Sequence, residues 1–282
     1  MPKPKSKKTS NIGPTVSLPK GATALTIAGS DPSGGAGLQA DLKTFQQFQV
    51  YGMSVVTLLT VQNTQSVEQV LTLEPSFVRQ QLRAVLSDIP PRAIKLGALG
   101  NAEIVQAVAE ELNSVKVPIV IDPVMVSKHG HALLDDQAVE SYRKLLLPKA
   151  YLLTPNRLEA EKLTGMSIRS FPDVQLALHR LQEMGCQNVL LKYGRVDQEY
   201  RVYLTGGDGI AGMSLPFQTT NRTHGSGCVL AACITALLAL GQTDLETIVY
   251  YSVQEVTTGV AAGESLGKGI SPVETRLIRG PF

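Results

Sequence analysis

The sequence Thr-His-Gly-Ser-Gly-Cys at residues 223–228 leads directly into an apolar run from Val229 to Leu240. This order predicts a glycine-containing loop at the N-terminus of a buried helix. The first N–H groups of a helix have no partner within the helix and lie at the positive end of its dipole. Loops of this kind bind anions, and Gly225 and Gly227 let an anion approach the backbone closely. The stretch therefore predicts a phosphate site.

Cys228 falls in the first turn of the predicted helix. A helix N-terminus lowers the pKa of a thiol, so one interpretation is a phosphate pocket with a thiolate base beside it. The alternative is a tight turn that needs glycine, with Cys228 as a small buried apolar side chain. The loop alone does not separate the two interpretations.

Composition indicates a globular protein. The 282 residues are 43% hydrophobic and 18% charged, which suffices for one large α/β domain or two small ones. The formal net charge is +2, and residues 1–20 contain five lysines and no acidic residue. The remainder is therefore mildly acidic, which argues against nucleic-acid binding. We expect residues 1–20 to form a disordered basic tail and residues 21–282 to form a single domain.

Two features favour a cytoplasmic protein. The N-terminal tail lacks the apolar segment of a secretory signal, and the apolar run from Cys228 to Leu240 is shorter than the ~20 residues that span a membrane. The three cysteines neither pair evenly nor show metal-ligand spacing. We expect no membrane partner and a reducing compartment.

Short apolar runs alternate with helical patterns along the chain, which predicts a mainly parallel sheet covered by helices on both faces. The predicted strands are 25–28, 55–61, 93–96, 118–121, 151–153 and 189–191, with a hairpin formed by 200–204 and 212–217. The predicted helices include 38–48, 75–86, 103–112 and 243–261.

Polar and glycine residues follow the predicted strands, at the sheet edge where α/β proteins bind ligands. Gly29 opens a glycine-rich turn that lacks the G-x-G-x-x-G spacing of dinucleotide sites. Gln62 ends the next strand, and an amide that both donates and accepts suits the edge of a heteroaromatic ring. Ordinary backbone turns and solvent contacts are the alternative interpretation of each position taken singly.

Asn156 and Glu159 are three residues apart, so they share one face of a predicted helix. Glu159 could hold Mg²⁺ beside phosphates, or the two residues could simply cap the helix. Lys192 follows a strand and could reach a phosphate or face solvent. His129 and His131 belong to an irregular segment, 128–134, and are interpreted as solvated loop residues.

Five motifs together resemble the hydroxymethylpyrimidine kinase and hydroxymethylpyrimidine phosphate kinase family of thiamine biosynthesis, within the ribokinase superfamily. They are AGSDPSGGAGLQAD at 28–41, QNT at 62–64, DPVM at 122–125, TPN at 154–156 with Glu159, and THGSGC at 223–228. The resemblance spans roughly residues 22–273.

The resemblance implies a ribokinase-like three-layer sandwich with a mainly parallel central sheet, ATP as co-substrate, Mg²⁺, a heteroaromatic alcohol as acceptor, and a homodimer. It also implies roles for individual residues. The catalytic set would be Gly225, Ser226, Gly227, Cys228 and Lys192; the acceptor pocket Gly29, Ala36, Asp41, Gln62 and Ala98; the nucleotide site Asn156, Glu159, Lys192 and Ser226; and the magnesium ligands Asp122 and Glu159.

The sequence departs from the family pattern at several positions. Ala98 stands where members commonly carry methionine, Thr60 replaces an apolar residue, and Tyr193 interrupts a Lys-Gly-Gly segment. His129 and Ser226 are further differences. Pyridoxal is also a flat heteroaromatic alcohol with a primary hydroxymethyl group, so a pyridoxal kinase is the alternative function, and the pocket near Ala98, Thr60 and Gln62 is the feature that would discriminate between the two. A non-catalytic binding protein on the same fold is the alternative from another class.

Overall fold

The computed structural model describes residues 21–125, 130, 134, 136–206 and 209–281. Its main sheet contains Thr23–Ser30 (β1), Tyr51–Gln62 (β2), Val67–Thr72 (β3), Ala93–Leu96 (β4), Ile119–Ile121 (β5) and Leu152–Leu153 (β6). The spatial order is β3-β2-β1-β4-β5-β6. All neighbours pair in parallel except β2 and β3, which are antiparallel.

A second, antiparallel sheet extends this layer. It contains Leu190–Val196 (β7), Glu199–Gly206 (β8) and Gly209–Pro216 (β9) in that order. A parallel bridge between Leu153 and Val189 connects it to β6. The predicted hairpin is therefore confirmed as β8 and β9.

Helices cover both faces of the sheet. They are Gly37–Gln47 (α1), Pro75–Asp88 (α2), Ala102–Glu111 (α3), Asp136–Leu145 (α4), Arg157–Thr164 (α5), Phe171–Glu183 (α6), Ser226–Ala239 (α7) and Leu245–Ala262 (α8). Buried residues of α2 to α6 form one core cluster and those of α1, α7 and α8 form another. Successive strand residues point to opposite faces, so Ile94 belongs to the first cluster and Ala93 to the second. The predicted three-layer α/β sandwich is confirmed.

Helix α7 is the helix that follows the glycine loop, and Val229 to Ala239 are all buried. Gly225 caps it with φ +77°. A Cβ atom on Gly225 would lie 1.9 Å from the carbonyl oxygen of Gly35, so glycine is required there on steric grounds as well as conformational ones. The described helices include none that is both long enough and apolar enough to cross a membrane.

The structure differs from the sequence predictions in several places. Strand β2 is longer than the buried strand predicted at 55–61, and its far part is open to solvent: Leu59 is 42% and Val61 51% exposed. Its antiparallel partner β3 was not predicted, because it pairs with the part of β2 that continues past the sheet core. The helices α4 and α6 were not predicted either. Both the basic tail and the two histidines of segment 128–134 lie outside the described residues.

The chain after α8 crosses the carboxyl end of the sheet. We call residues 266–274 the C-terminal strap. Its Ile270 N–H donates to the carbonyl of Thr64 at 2.8 Å, and its Ser271 carbonyl accepts from the His224 N–H at 2.9 Å. The strap therefore joins the turn between β2 and β3 to the glycine loop.

Candidate active site

One cavity of about 720 Å³ lies at the carboxyl ends of the parallel strands. Its lining residues come from many separate parts of the chain. Of the residues predicted to form the site, the following line it: Gly29, Ala36, Gln62, Ala98, Asp122, Asn156, Glu159, Lys192, Gly225, Ser226, Gly227 and Cys228. The expectation that the strand ends meet at one place is confirmed.

The glycine loop supplies backbone donors to this cavity. The first helical hydrogen bond of α7 runs from the Val229 N–H to the Gly225 carbonyl at 2.9 Å. The N–H groups of Gly227 and Cys228 precede that bond and have no acceptor within the helix. They lie at the positive end of a 14-residue helix, so this end of the cavity favours negative charge.

A lysine and an aspartate lie directly below Gly227. Lys192 Nζ is 2.9 Å from Asp122 Oδ1, and both side chains are nearly buried. A Cβ atom on Gly227 would lie 3.2 Å from Lys192 Nζ and 3.4 Å from Asp122 Oδ2. Burial works against the charge of Lys192, but the carboxylates of Asp122 and Glu159 hold its pKa above the ordinary value. The lysine is therefore a cation at the end of the cavity that the glycine loop forms.

Asn156 and Glu159 form a capping box at the start of α5. The Glu159 N–H donates to Asn156 Oδ1 at 2.9 Å, and the Asn156 N–H donates to Glu159 Oε2 at 2.7 Å. The helix-cap interpretation is thus confirmed, and both residues also line the cavity. Burial, with the charge of Asp122, raises the pKa of Glu159 to about 7 although Lys192 opposes the shift.

Cys228 lines the cavity, and the Gly37 N–H at the start of α1 favours its thiolate form. The sequence predicted a lowered pKa, and that prediction is wrong. Burial raises the pKa of Cys228 to about 11, even though the Lys95 ammonium favours the thiolate. Removing the thiol from water destabilises the thiolate more than the nearby positive groups stabilise it.

Asp41 was expected on the wall of the acceptor pocket, but the structure places it beneath. Its side chain is fully buried, and Oδ2 accepts from Lys95 Nζ at 2.8 Å and from Thr26 Oγ1 at 2.6 Å. Lys95 lines the cavity instead, and the Asp41 charge, outweighing burial, raises its pKa to about 12. A lysine within the apolar run Ala93-Ile94-Lys95-Leu96 was the signal that could have identified it.

Three side chains meet between the glycine-rich turn and the glycine loop. His224 Nε2 lies 2.7 Å from Asp31 Oδ2 and 3.3 Å from Gln62 Nε2. Asp31 also accepts from the Ser33 and Ala36 N–H groups, each at 2.9 Å. Burial disfavours the carboxylate, but the hydrogen bonds from His224 and Ser33 outweigh it and lower the pKa of Asp31.

The comparisons with known proteins agree with this geometry. A family model described as phosphomethylpyrimidine kinase matches residues 31–274. The chain belongs to the phosphomethylpyrimidine kinase family. The matched segment begins at Asp31, which opens the glycine-rich turn, and ends at Glu274 in the C-terminal strap.

Individual members of the phosphomethylpyrimidine kinase family align over most of the chain. A hydroxymethylpyrimidine/phosphomethylpyrimidine kinase of Bacillus subtilis is 44% identical over 77% of this chain and 82% of its own length. The crystal structure of a phosphomethylpyrimidine kinase from Clostridium difficile superposes with a TM-score of 0.74 at 41% identity, covering 83% of this chain and 97% of that one.

A pyridoxal kinase has a similar fold. The ADP complex of the Bacillus subtilis pyridoxal kinase superposes with a TM-score of 0.83, covering 90% of this chain and 97% of that one, but at 32% identity. The fold is thus shared between kinases of two vitamins, while sequence identity is higher to the phosphomethylpyrimidine kinases.

An apolar cleft continues the cavity of this phosphomethylpyrimidine kinase family member beyond the end that the glycine loop forms. It lies between the segment after β9, α7 and α8, and is lined by Phe217, Leu230, Val253, Val256 and Val260. The Arg195 guanidinium lies 4.6 Å from the centre of the Phe217 ring. Sequence reasoning missed this cleft, because its residues are apolar side chains whose only signal is helical periodicity.

Proposed function

We propose that the protein transfers the γ-phosphoryl group of ATP to the hydroxymethyl group of 4-amino-5-hydroxymethyl-2-methylpyrimidine, and then to its monophosphate, in thiamine biosynthesis. The observation that carries this proposal is the single cavity of about 720 Å³ that places backbone anion donors and Lys192 between a polar-edged pocket and an apolar cleft. Phosphoryl transfer depends mainly on positioning and charge stabilisation, which this arrangement supplies.

The acceptor ring is proposed to lie between the glycine-rich turn and β4. Gly29, Ala36 and Ala98 present little side chain there, and Gln62 presents an amide at the end of β2. A Cβ atom on Gly29 would lie 2.5 Å from Leu58 Cδ1, so the wall is already close-packed behind it. A flat ring with hydrogen-bonding groups on one edge fits such a slot.

The nucleotide is proposed to occupy the other half. The apolar cleft between α7 and α8 suits a purine, since ligand sites are mainly apolar with few polar groups. Its phosphates would extend to Lys192, Asn156 and the Ser226 end of the glycine loop. This order places the γ-phosphoryl group at the N–H groups of Gly227 and Cys228, beside the acceptor.

The carboxylates of Asp122 and Glu159 fit a magnesium site. Within the described residues no cluster of three His, Cys, Asp or Glu side chains could hold a metal by itself, but Mg²⁺ in kinases takes one or two carboxylates together with phosphate oxygens and water. Asp122 raises the pKa of Glu159, so the two repel each other and a dication relieves that repulsion. When bound, Mg²⁺ would neutralise phosphate charge.

Cys228 is proposed to accept the proton of the acceptor hydroxyl as the phosphoryl group arrives. Its pKa of about 11 means that the thiol is protonated in the empty site at neutral pH. Thiolate formation therefore has to be coupled to substrate binding, with the Gly37 N–H and Lys95 as the groups that stabilise the anion. The backbone N–H groups of Gly227 and Cys228 would hold the phosphoryl group in transfer.

A homodimer is proposed through the exposed face of β2 and β3. Leu59 and Leu71 are paired across these strands, and with Val61 they form an apolar patch exposed by 42%, 56% and 51%. Exposed apolar patches of this kind mark protein contacts. Leu71→Lys should convert a dimer into a monomer in sedimentation velocity; an unchanged mass would remove this surface from consideration.

A cytoplasmic location is proposed on the basis of the three free cysteines, Cys186, Cys228 and Cys233. Residues 21–282 are proposed to act as one kinase domain with residues 1–20 as a separate tail.

The deciding experiment measures ATP consumption with Mg²⁺ on three acceptors in parallel: the hydroxymethylpyrimidine, its monophosphate, and pyridoxal. Turnover of both pyrimidines supports the proposal, and turnover of the first alone restricts it to one step. Turnover of pyridoxal alone favours the second function, for which the TM-score of 0.83 and the small Ala98 side chain are the supporting observations. If ATP is consumed with none of the three acceptors, the result contradicts both proposed functions.

A further inference from the structure

His224 is a buried residue that the proposed chemistry does not use. Its side chain and that of Asp31 are exposed by only 3% and 4%, yet both line the cavity. The backbone of His224 is fixed independently by the C-terminal strap, since its N–H donates to Ser271 and its carbonyl accepts from the Val273 N–H. The imidazole is therefore held in place on the border between the two halves of the site.

The contact with Asp31 determines which ring nitrogen carries a proton. Asp31 Oδ2 already accepts from the Ala36 N–H, and Oδ1 accepts from the Ser33 N–H. The lowered pKa of Asp31 means that its carboxyl is ionised and has no proton to give. At 2.7 Å the bond to His224 Nε2 then requires that Nε2 carries a proton and donates it.

The same protonated nitrogen lies next to the amide of Gln62. The separation of 3.3 Å is between His224 Nε2 and Gln62 Nε2, and two donors facing each other repel. The oxygen and nitrogen of an amide are nearly interchangeable in shape and are assigned from the hydrogen-bond network. The stable arrangement turns Gln62 by half a rotation about its last torsion, so that Oε1 faces His224 and the NH₂ group faces the cavity.

We propose that the Asp31–His224 pair is a positioning device that fixes Gln62 as a hydrogen-bond donor to the acceptor ring. The inference rests on the proposed function, because it takes the ligand of this pocket to be a heteroaromatic alcohol. The matching ligand atom is an unprotonated ring nitrogen, so the pair makes the site selective for rings that present such an acceptor at that edge. His224 acts through Gln62 and does not itself touch the reacting atoms.

The pair also links the two loops of the site. Asp31 accepts from the N–H of Ala36, the residue before α1, and the neighbouring Gly35 carbonyl lies 1.9 Å from where a Cβ atom on Gly225 would be. Gly35 is packed against the same imidazole, since a Cβ atom on it would lie 2.5 Å from His224 Cδ2. One histidine thus sets the distance between the turn that holds the acceptor and the loop that holds the phosphoryl group.

The first test is a discrimination ratio. The probes are the hydroxymethylpyrimidine and its two deaza analogues, each with one ring nitrogen replaced by C–H. Loss of one hydrogen bond corresponds to about tenfold in kcat/KM, so the wild type should disfavour one analogue by about tenfold. His224→Asn, whose amide is too short to reach Asp31, should reduce that ratio to about threefold or less, and His224→Gln should restore part of it.

The matched control is His179→Asn, because His179 is 68% exposed on α6 and pairs only locally with Glu183; it should keep the wild-type ratio. A wild type that turns over the pyrimidine without discriminating between the analogues, or a His224→Asn variant that keeps the full ratio, overturns the inference. If the wild type turns over neither the hydroxymethylpyrimidine nor its analogues, the result contradicts the proposed function instead of this inference.

The second test does not depend on turnover. Long-range proton–nitrogen NMR spectra of the full chain with ¹⁵N-labelled histidine report the protonation of each imidazole nitrogen among its four histidines. The His224 signals are assigned by their loss in His224→Asn, and a protonated Nε2 on His224 is the expected result. An unprotonated Nε2 overturns the proposed orientation of Gln62.

Discussion

Two lysine–aspartate pairs lie at neighbouring strand ends and differ in one respect. Lys95 and Asp41 are 2.8 Å apart with no exposed surface on either side chain. Lys192 and Asp122 are 2.9 Å apart but 9% and 3% exposed, directly beneath Gly227. We call them the sealed pair and the open pair. The distances differ by only 0.1 Å, so what separates the two pairs is their exposure to the cavity.

The sealed pair neutralises its own charges. Within the described residues Asp41 Oδ1 has no hydrogen-bond partner, so all compensation for this carboxylate comes through Oδ2, from Lys95 and Thr26. A buried pair of this kind adds little net stability, but losing one partner is costly. The open pair presents one face to the cavity, where water can hydrate its aspartate.

The largest expected effect comes from breaking the sealed pair. Lys95→Met leaves Asp41 buried without a counter-charge and should lower the free energy of unfolding by about 3–5 kcal/mol, measured by urea denaturation. The control is the double variant Lys95→Met/Asp41→Leu, which removes both charges and should recover most of the loss. A loss below about 1 kcal/mol for the single variant would mean that the pair is solvated.

Breaking the open pair should affect catalysis more than stability. Lys192→Met removes a cation from the phosphate end of the cavity and should lower kcat by about 10²–10³-fold. Its melting temperature should fall less than that of Lys95→Met, because the remaining Asp122 faces the cavity. The comparison between the two pairs fails if Lys192→Met unfolds as readily as Lys95→Met while retaining most of its kcat.

Cys228 lies beside the sealed pair, so its reactivity reports how strongly burial affects a group at that place. With a pKa of about 11, the rate of its alkylation by iodoacetamide in the free protein should rise about tenfold per pH unit between pH 8 and 10, since only the thiolate reacts. Mass spectrometry distinguishes it from the buried Cys186 and Cys233. A rate that is already level at pH 8 would indicate a pKa near neutrality.

The proposed base role of Cys228 is tested by Cys228→Ala. Loss of a general base lowers kcat by about 10²-fold or more, and the melting temperature serves as the control for folding. A variant with nearly full kcat would leave positioning by the backbone donors as the explanation of catalysis.

The smallest effect on stability is expected at Glu159, which lies beside the open pair. Its pKa is raised from 4.5 to about 7 in the folded protein, so folding favours the protonated form. The contribution to stability is fully present below pH ~4.5 and is lost as the pH rises through ~7. Glu159→Gln stays neutral and can still accept the Asn156 N–H, so above pH 7 it should melt about 3 °C higher than the wild type.

The measurement for Glu159 is the melting temperature at pH 5, 6, 7 and 8. The two profiles should converge at pH 5 and separate at pH 8, while Glu159→Gln loses Mg²⁺-dependent turnover. Parallel profiles would show that Glu159 titrates in the folded protein as it does in the unfolded chain.

Much of the site could be predicted because it depends on local sequence. A glycine loop before an apolar run predicts a turn into a buried helix. The carboxyl ends of parallel strands lie at one edge of their sheet. Gly225, Gly227 and Lys192 were therefore located from sequence alone. The capping box of Asn156 and Glu159 was likewise visible from a spacing of three residues.

The remainder depends on contacts between distant residues. Asp41 and Lys95 are 54 positions apart, and nothing local indicates that one is sealed beneath the cavity while the other reaches its wall. The pKa of Cys228 was predicted in the wrong direction for the same reason: the helix dipole is a local feature, whereas desolvation depends on every element packed around the thiol. Strand β3 was missed because it pairs with a part of β2 that leaves the core.

The C-terminal strap also bears on how the protein is made. Its Gly269 N–H bonds to the Thr64 hydroxyl, 205 positions earlier, and its Ser271 holds the His224 backbone. During synthesis the sheet and both glycine-rich segments leave the ribosome before the strap does. A nascent chain that ends before residue 266 therefore carries every residue proposed to contact the substrates, yet the turn after β2 and the glycine loop are not yet joined. The site is complete only after the strap has been synthesised and has bound both segments.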